Sequence, residues 1–288
     1  MSPLSIPVHV IGASGRSGAA LCRALLERGT PVLPVVRDRT RWNATGMALE
    51  PRIADLTDPA ALAAALKGAV RIASTAHARY AAAILAAAPS DARRLVFLGS
   101  TRKFTRWPDA HGNGVLAGEA AILASRRSAM ILHPTMIYGA EGENNVRRLA
   151  ALIRRLPAVP LPNAGRALVQ PVHQSDVTRA VLGALDLELL DSPEALVIAG
   201  PEPLTYAGLV RAVAAAAGQR RPRIVGVPQA VLLAAVPLLA ALPFLPGIGR
   251  DEVRRLVEDK AFDIGPMRNR LGVAPIPLEE GLALTFDR

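Results

Sequence analysis

Short apolar runs alternate with segments of helical spacing through the first half of the chain. Pro7-Val8-His9-Val10-Ile11 is an apolar run that stops at Gly12, as a buried parallel strand does. From Ser17 to Glu27, Ala20, Leu21, Ala24 and Leu25 recur on one side of a helix, and Gly29 supplies its stop. Val32-Leu33-Pro34-Val35-Val36 reads as a second strand. Pro34 removes a ladder donor there, so a bulge or an irregular pairing is expected. Ile53-Ala54, Val70 to Ala73, Leu95 to Leu98 and Met130 to Leu132 read as four further strands. Helical segments at 58–66, 79–87 and 119–125 fall between them. Alternation at this pitch predicts an α/β fold built on a doubly wound parallel sheet.

The second half is less regular. Asn144 to Arg155 has helical spacing, and Pro157, Pro160 and Pro162 mark a surface excursion. Val169 to Val172 is extended, Ser175 caps a helix running through Leu185, and Ala195 to Ile198 is a strand closed by Gly200-Pro201. Thr205 caps a helix ending near Gly218, and a last helix starts at Pro277. The expected organisation is a sheet domain from 1–140 and 168–200, with a smaller, discontinuous C-terminal substrate lobe from 141–167 and 201–288. Ile224 to Gly249 carries no charge and is long enough to span a bilayer, but Pro228, Pro237, Pro243 and Pro246 cut it into short pieces. It reads as a buried helix or a greasy lid over a substrate pocket, with peripheral membrane contact as the lesser alternative.

Composition narrows the function classes. The 288 residues are 51% hydrophobic, enough for a sizeable core. The net charge of +10 invites a nucleic-acid reading. Its arginines, however, stand singly or in pairs within helical patterns, with no basic run interleaved with aromatics, so solvated helix faces are expected and nucleic acid is not. Attraction to an anionic cofactor or an acidic membrane surface stays open. The single cysteine, Cys22, permits no intrachain disulfide and reads as a small core residue, which fits a reducing, cytoplasmic location. The first strand begins so early that no signal peptide fits ahead of it. His9, His77 and His173 are scattered, and no metal-ligand pattern occurs.

The chemistry begins at strand, Gly12-x-x-Gly15-x-x-Gly18, helix. The first glycine permits a sharp turn, the second lets backbone approach a pyrophosphate, and the third lets helix and strand pack closely. The helix N-terminus then offers free amides and partial positive charge to the phosphates of a nicotinamide dinucleotide, with Ser14, Arg16 and Ser17 in the same turn. Arg37 ends the second strand, where NAD-preferring sites carry an acid. A guanidinium there pairs with a 2′-phosphate, so NADP is the expected cofactor; the adjacent Asp38 keeps NAD as the alternative. Asp55-Leu56 ends the third strand, placed either for the adenine amino group or as the cap of the next helix. Ser74 and Thr75, after the fourth strand, join the expected cofactor-binding set.

The glycine turn, Arg37, Asp55-Leu56, Gly99-Ser100, the segment His133 to Gly139 and the segment Gln170 to Val177 fall in an order that resembles the short-chain dehydrogenase/reductase superfamily. The likeness is to its extended or atypical branch, the NAD-dependent epimerase/dehydratase type, near a group related to a complex I accessory subunit. It implies a Rossmann core with a C-terminal lobe closing over a small-molecule substrate, and places Pro134 and Thr135 at the nicotinamide. The family's catalytic Tyr-x-x-x-Lys is absent, and the only lysines are Lys67, Lys103 and Lys260. Glu119 resembles the family's glutamate on that helix, and counting back from it puts His111 and Val115 near the expected pair. Ser100 matches the family's catalytic serine or threonine.

Three accounts follow. His111 replaces the tyrosine as acid/base, although it also reads as a loop histidine between Ala110 and Gly112. Lys103 or Tyr138 serves from another direction. Or the usual chemistry is gone. Asn144, Asn145 and Arg147 stand within reach of a substrate, and Asp176 reads as a helix-start residue. The resemblance thus implies an NAD(P)-dependent oxidoreductase or isomerase acting on a carbonyl or alcohol, with Ser100 polarising the substrate oxygen. The alternative is an NADP-binding sensor or accessory subunit without turnover. The Leu-, Val- and Ala-rich stretch from Val225 to Ile248 suggests an apolar or amphipathic substrate.

Overall fold

The computed structural model describes residues 6–139, 145–156, 158–240 and 249–286. Its strands in chain order are β1 (Val8–Ile11), β2 (Val32–Val36), β3 (Arg52–Ile53), β4 (Arg71–Ser74), β5 (Arg94–Leu98) and β6 (Ala129–Pro134). The short β7 (Ile137–Tyr138), β8 (Ala158–Pro162), β9 (Leu168–Val169) and β10 (Val172–His173) follow, then β11 (Glu194–Ile198), β12 (Leu204–Thr205) and β13 (Arg223–Val227). The helices are α1 (Arg16–Glu27), α2 (Arg39–Asn43), α3 (Pro59–Ala65), α4 (Ala81–Ala87), α5 (Ala110–Ala124) and α6 (Asn145–Arg155). After them come α7 (Gln174–Asp186), α8 (Tyr206–Ala216), α9 (Gln229–Ala240), α10 (Arg250–Arg255), α11 (Gly265–Leu271) and α12 (Leu278–Phe286).

Seven parallel strands make the central sheet, in the order β11-β6-β5-β4-β1-β2-β3. This is the doubly wound Rossmann arrangement, and the strand order reverses between β1 and β4. Both faces of the sheet are buried, which is why its strands read as unbroken apolar runs. Val8, Val10, Val96, Met130 and Leu132 face one core with Leu21, Leu25 and Val181. Ile11, Ile72, Leu95, Phe97 and Ile131 face the other with Leu62, Ile84 and Ile122. Cys22 is fully buried in the first core, and burial pushes its thiol up to about 12, as befits a packing residue. A third core gathers Tyr138, Val146, Ile153, Val159, Leu161, Leu209, Val213 and Leu282. Ile264, Met267 and Leu271 pack in the first core, so α11 sides with the sheet although it lies far along the chain.

Several elements differ from their sequence reading. β2 pairs in plain register with no bulge, Pro34 lying opposite Val10. The Pro31 and Val35 carbonyls bond toward β1 and that of Val36 toward β3. Pro34 shares the side of Val36, and β3 starts pairing only at Val35, so the missing donor has no strand opposite it. The proline-rich excursion is an ordered strand: β8 pairs in parallel with β13 and buries Val159 and Leu161. Helix α7 is capped by His173, whose side chain accepts from the Ser175 amide, rather than by Ser175. Helix α5 begins at Ala110, capped by Asp109, so His111 is its second residue and not a loop histidine. The stretch from Ile224 is a strand and then α9, not a buried helix: of residues 229–237 only Val236 is buried. Residues 241–248 of that stretch, with Pro243 and Pro246, lie outside the described residues. Among the described residues no helix is long and apolar enough to cross a membrane.

Candidate cofactor and substrate site

The glycine turn sits at the carboxyl end of β1, at the reversal of strand order. Gly12 takes the left-handed conformation (φ 77°), and its carbonyl accepts from the Gly15 amide at 2.9 Å. Gly15 is the N-cap of α1, with no side-chain cap and no acidic residue in the first turn. The amides of Arg16, Ser17 and Gly18 therefore face outward without intrahelical acceptors. Gly18 lies against the backbone of Gly12 and Ala13 with no room for a β-carbon. The Thr75 hydroxyl, 3.0 Å from the Ile11 carbonyl and 3.2 Å from that of Gly12, fixes the end of β4 to the turn. Gly15, Arg16, Ser17, Gly18 and Thr75 line a cavity of about 360 Å³. Its floor is steadied by Ser17, which donates to Gln174 Oε1 at 2.9 Å. Donors, dipole and space fit a bound pyrophosphate.

At the end of β2, Arg37 is exposed, while the Asp38 carboxylate caps α2 through the Thr40 and Arg41 amides at 2.8 and 3.3 Å. Arg39 pairs with Glu50, and Arg16 and Arg41 are exposed. Asp55 does not cap the next helix, because Asp58 does. Instead it accepts from the Thr57 hydroxyl and amide at 2.7 and 2.8 Å. These bonds, with a smaller contribution from Arg37, hold its carboxyl below the usual range. Leu56 packs half-buried on the second core.

Beyond β5 and β6 opens a cleft of about 1240 Å³, lined among others by Ser100, His111, Thr135, Asn145, Tyr206 and Lys260. Ser100 Oγ accepts from the Arg102 amide at 3.1 Å, and the Ser100 amide donates to His133 Nδ1 at 3.2 Å. With Nδ1 accepting, a neutral His133 carries its proton on Nε2, which lies 3.5 Å from Glu119 Oε2. Burial first, and then the charge of Lys103, pushes His133 down to about 4. Lys103 Nζ bonds Glu119 Oε1 at 2.6 Å, and both groups are nearly buried. His111 stands edge-on to His77, ring centroids 4.3 Å apart. Burial, followed by the Arg102 guanidinium, lowers its pKa.

Residues 12–132 match a family model described as NAD(P)H-binding. That segment is an NAD(P)H-binding domain. No curated protein matches the chain by sequence. Solved structures match it over nearly its whole length. The Citrobacter sp. triphenylmethane reductase complexed with NADP(H) is 17% identical, with a TM-score of 0.76 over 96% of this chain and 99% of that one. The Escherichia coli NADPH-dependent quinone oxidoreductase complexed with NADPH is also 17% identical, with a TM-score of 0.73 over 96% and 98%. The UDP-glucose 4-epimerase of Thermotoga maritima is 15% identical, with a TM-score of 0.74 over 98% of each chain. At these identities the likeness is one of fold. Together with the domain match, it agrees with the NAD(P)-binding Rossmann core that the resemblance implies.

Around the NAD(P)H-binding domain the anticipated residues divide into groups. Gly15, Arg16, Ser17, Gly18 and Thr75 converge at the first cavity, and Gly12 and Ser14 lie in the same turn. Ser100, His111 and Thr135 meet at the cleft. Asn145 lines both hollows and joins them. Ser74 and Pro134 are buried at the ends of β4 and β6. Val115 is core. Arg147 is turned away, donating to the Thr285 carbonyl at 2.7 Å, and Asn144 lies outside the described residues. Asp176 is buried in the first turn of α7 and accepts from the Ile276 amide at 3.2 Å, a structural tie.

The two substitutes for the missing tyrosine fare poorly. Lys103 is locked on Glu119. Tyr138 is buried, with its hydroxyl against Gly281, and burial raises its pKa further. Two cleft residues escaped the sequence reading. Tyr206 follows the cap Thr205, and Lys260 is one of three lysines in a chain whose other long bases are arginines. Val225 to Pro237 contributes nothing to the cleft lining. The lining mixes the cationic Arg102, Arg148, Arg155 and Arg255 with the apolar Leu149, Leu152, Leu256 and Phe262.

Proposed function

We propose that the chain is an NADP-preferring oxidoreductase acting on a carbonyl or alcohol carbon of a small molecule held in the cleft. One observation carries this reading. The first-turn amides of α1 open on a cavity that meets, at Asn145, the cleft containing Ser100. A nicotinamide dinucleotide supplies hydride chemistry when bound; the chain supplies binding, orientation and protons. Arg16, Ser17 and Gly18 amides hold the pyrophosphate. Arg37 faces the 2′-phosphate, and the engagement of Asp38 in capping α2 favours this assignment, since that carboxylate is not turned to a ribose. Asp55 and Leu56 lie beside the adenine, and Pro134 and Thr135 beside the nicotinamide. Ser100, whose oxygen already accepts one amide, directs its proton at the substrate oxygen. His111, held neutral by burial and arginines, is a hydrogen-bonding wall of the cleft and a poor proton donor near pH 7.

The test is purified protein with NADPH and a panel of benzaldehyde, cyclohexanone and a benzoquinone. Oxidation of NADPH with any member, slowed about tenfold or more in Ser100→Ala, is the expected outcome. Tight NADPH binding without oxidation across the panel would instead make the protein a cofactor-holding module.

A further inference from the structure

We propose that Tyr206 is the proton donor to the substrate oxygen, with Lys260 as its positioning partner. The proposal rests on the oxidoreductase reading and adds to it the group that reading lacks. Tyr206 opens α8, and Lys260 lies on the segment that bonds back to β9 through its amide, 2.9 Å from the Leu168 carbonyl. The two side chains meet at the cleft, where Lys260 Nζ donates to the Tyr206 hydroxyl oxygen at 3.4 Å and to the Arg255 carbonyl at 3.2 Å. An ammonium that donates to a phenol oxygen leaves the phenol its own proton. Among the described residues, no hydrogen bond takes up that proton. The neighbouring segment is braced: Glu258 accepts from the Thr105 hydroxyl at 2.9 Å and the Arg106 amide at 2.6 Å. Gln170 Oε1 accepts from the Phe262 amide at 2.8 Å. Lys260 therefore lies between two fixed points, and the brace ties it to the turn that follows Ser100.

The chemistry balances. The substrate carbon gains a hydride from the reduced nicotinamide, which leaves oxidised. The C=O π pair passes to oxygen, and that oxygen takes the Tyr206 proton to become a hydroxyl. Lys260 then protonates the phenolate, and a proton from solvent restores the ammonium. Burial pushes the Tyr206 phenol up to about 12, which keeps the donor protonated at neutral pH. Burial also lowers Lys260, which eases its release of a proton.

The experiment compares wild type with Tyr206→Phe, Lys260→Met and Tyr80→Phe on the same carbonyl panel, with NADPH affinity read by fluorescence. Tyrosine labelled with ¹³C at Cζ gives a second readout. The Tyr206 resonance is assigned by its loss in Tyr206→Phe. Tyr206→Phe should lower kcat by about 100-fold or more at unchanged NADPH affinity, while Tyr80→Phe, outside the cleft, stays within a few-fold of wild type. Lys260→Met should move the Tyr206 resonance and leave those of Tyr80 and Tyr138 in place. Wild-type turnover that survives Tyr206→Phe overturns the donor assignment alone. An unmoved Tyr206 resonance in Lys260→Met overturns the pairing. A wild type inert toward the whole panel overturns the oxidoreductase reading and the donor role with it.

Discussion

Gly18 lies so close beneath Gly12 that a β-carbon on it would collide with the Gly12 carbonyl oxygen and stand 2.8 Å from the Ala13 Cα. Both obstacles are backbone, so no flexible side chain can move aside. Gly18→Ala must push α1 away from β1, and the first-turn amides move with it. Overpacking of this kind costs about 1–3 kcal/mol. A lower Tm and at least a tenfold loss of NADPH affinity are expected. An unchanged NADPH titration would mean that the amides of α1 do not hold the cofactor.

The proposed preference for NADP rests on Arg37 and Asp38 in different ways. The guanidinium is exposed at the strand end, and the carboxylate is turned into the cap of α2. Under the proposed reading, Arg37→Asp puts a like charge against the 2′-phosphate. NADPH affinity should fall by well over tenfold while NADH affinity holds or improves, as read by parallel fluorescence titrations. Equal losses for both would defeat the preference.

The sheet was legible because its inner strands β1, β4, β5 and β6 are buried on both faces and each ends at a glycine or polar residue. Gly12 after Ile11 and Gly99 after Leu98 are the clearest cases. The glycine turn was legible for the same reason, since its residues are local in sequence. The start of α5 was hidden by Gly112, Gly114 and Gly118, which read as a loop. Gly118 is there because a β-carbon would collide with the Ala78 carbonyl. The strand β8 was hidden by its prolines, since its pairing with β13 joins segments about sixty residues apart. Tyr206 and Lys260 come from different elements, 54 positions apart, and no local spacing brings them together. Asp55 and Asp58 are equivalent caps by residue type; only the backbone assigns the role to Asp58.

Lys103 and Glu119 form an ion pair nearly closed to water, with side chains 11% and 13% exposed. Removing one partner of such a pair strands the other charge and costs about 3 kcal/mol or more, whereas removing both is far milder. Lys103→Met should therefore lower stability by that order in urea unfolding, and Lys103→Met with Glu119→Leu should recover most of it. A single variant as stable as wild type would show that the pair is solvated in solution.

His9 and His133 are each 1% exposed and held near pH 4 by burial, reinforced by Arg52 for His9 and Lys103 for His133. The unfolded chain protonates its histidines near the ordinary value of about 6.5. Between that value and about 4 the unfolded state binds protons that these two folded sites refuse, so unfolding gains as pH falls. The stability they lend is whole above pH 6.5 and drains away toward pH 4, by up to about 1.4 kcal/mol per histidine for each pH unit. His9 Nε2 lies 3.1 Å from Arg52 Nη1, and His133 Nδ1 accepts from the Ser100 amide, so His9→Gln and His133→Asn keep an acceptor in place without a titrating ring. Urea midpoints measured from pH 7.5 down to pH 4.5 should fall steeply for wild type and less steeply for each variant. His77 and His111, also lowered, leave a residual slope of the same sign. Identical slopes in all three proteins would mean that neither ring is held neutral by the fold.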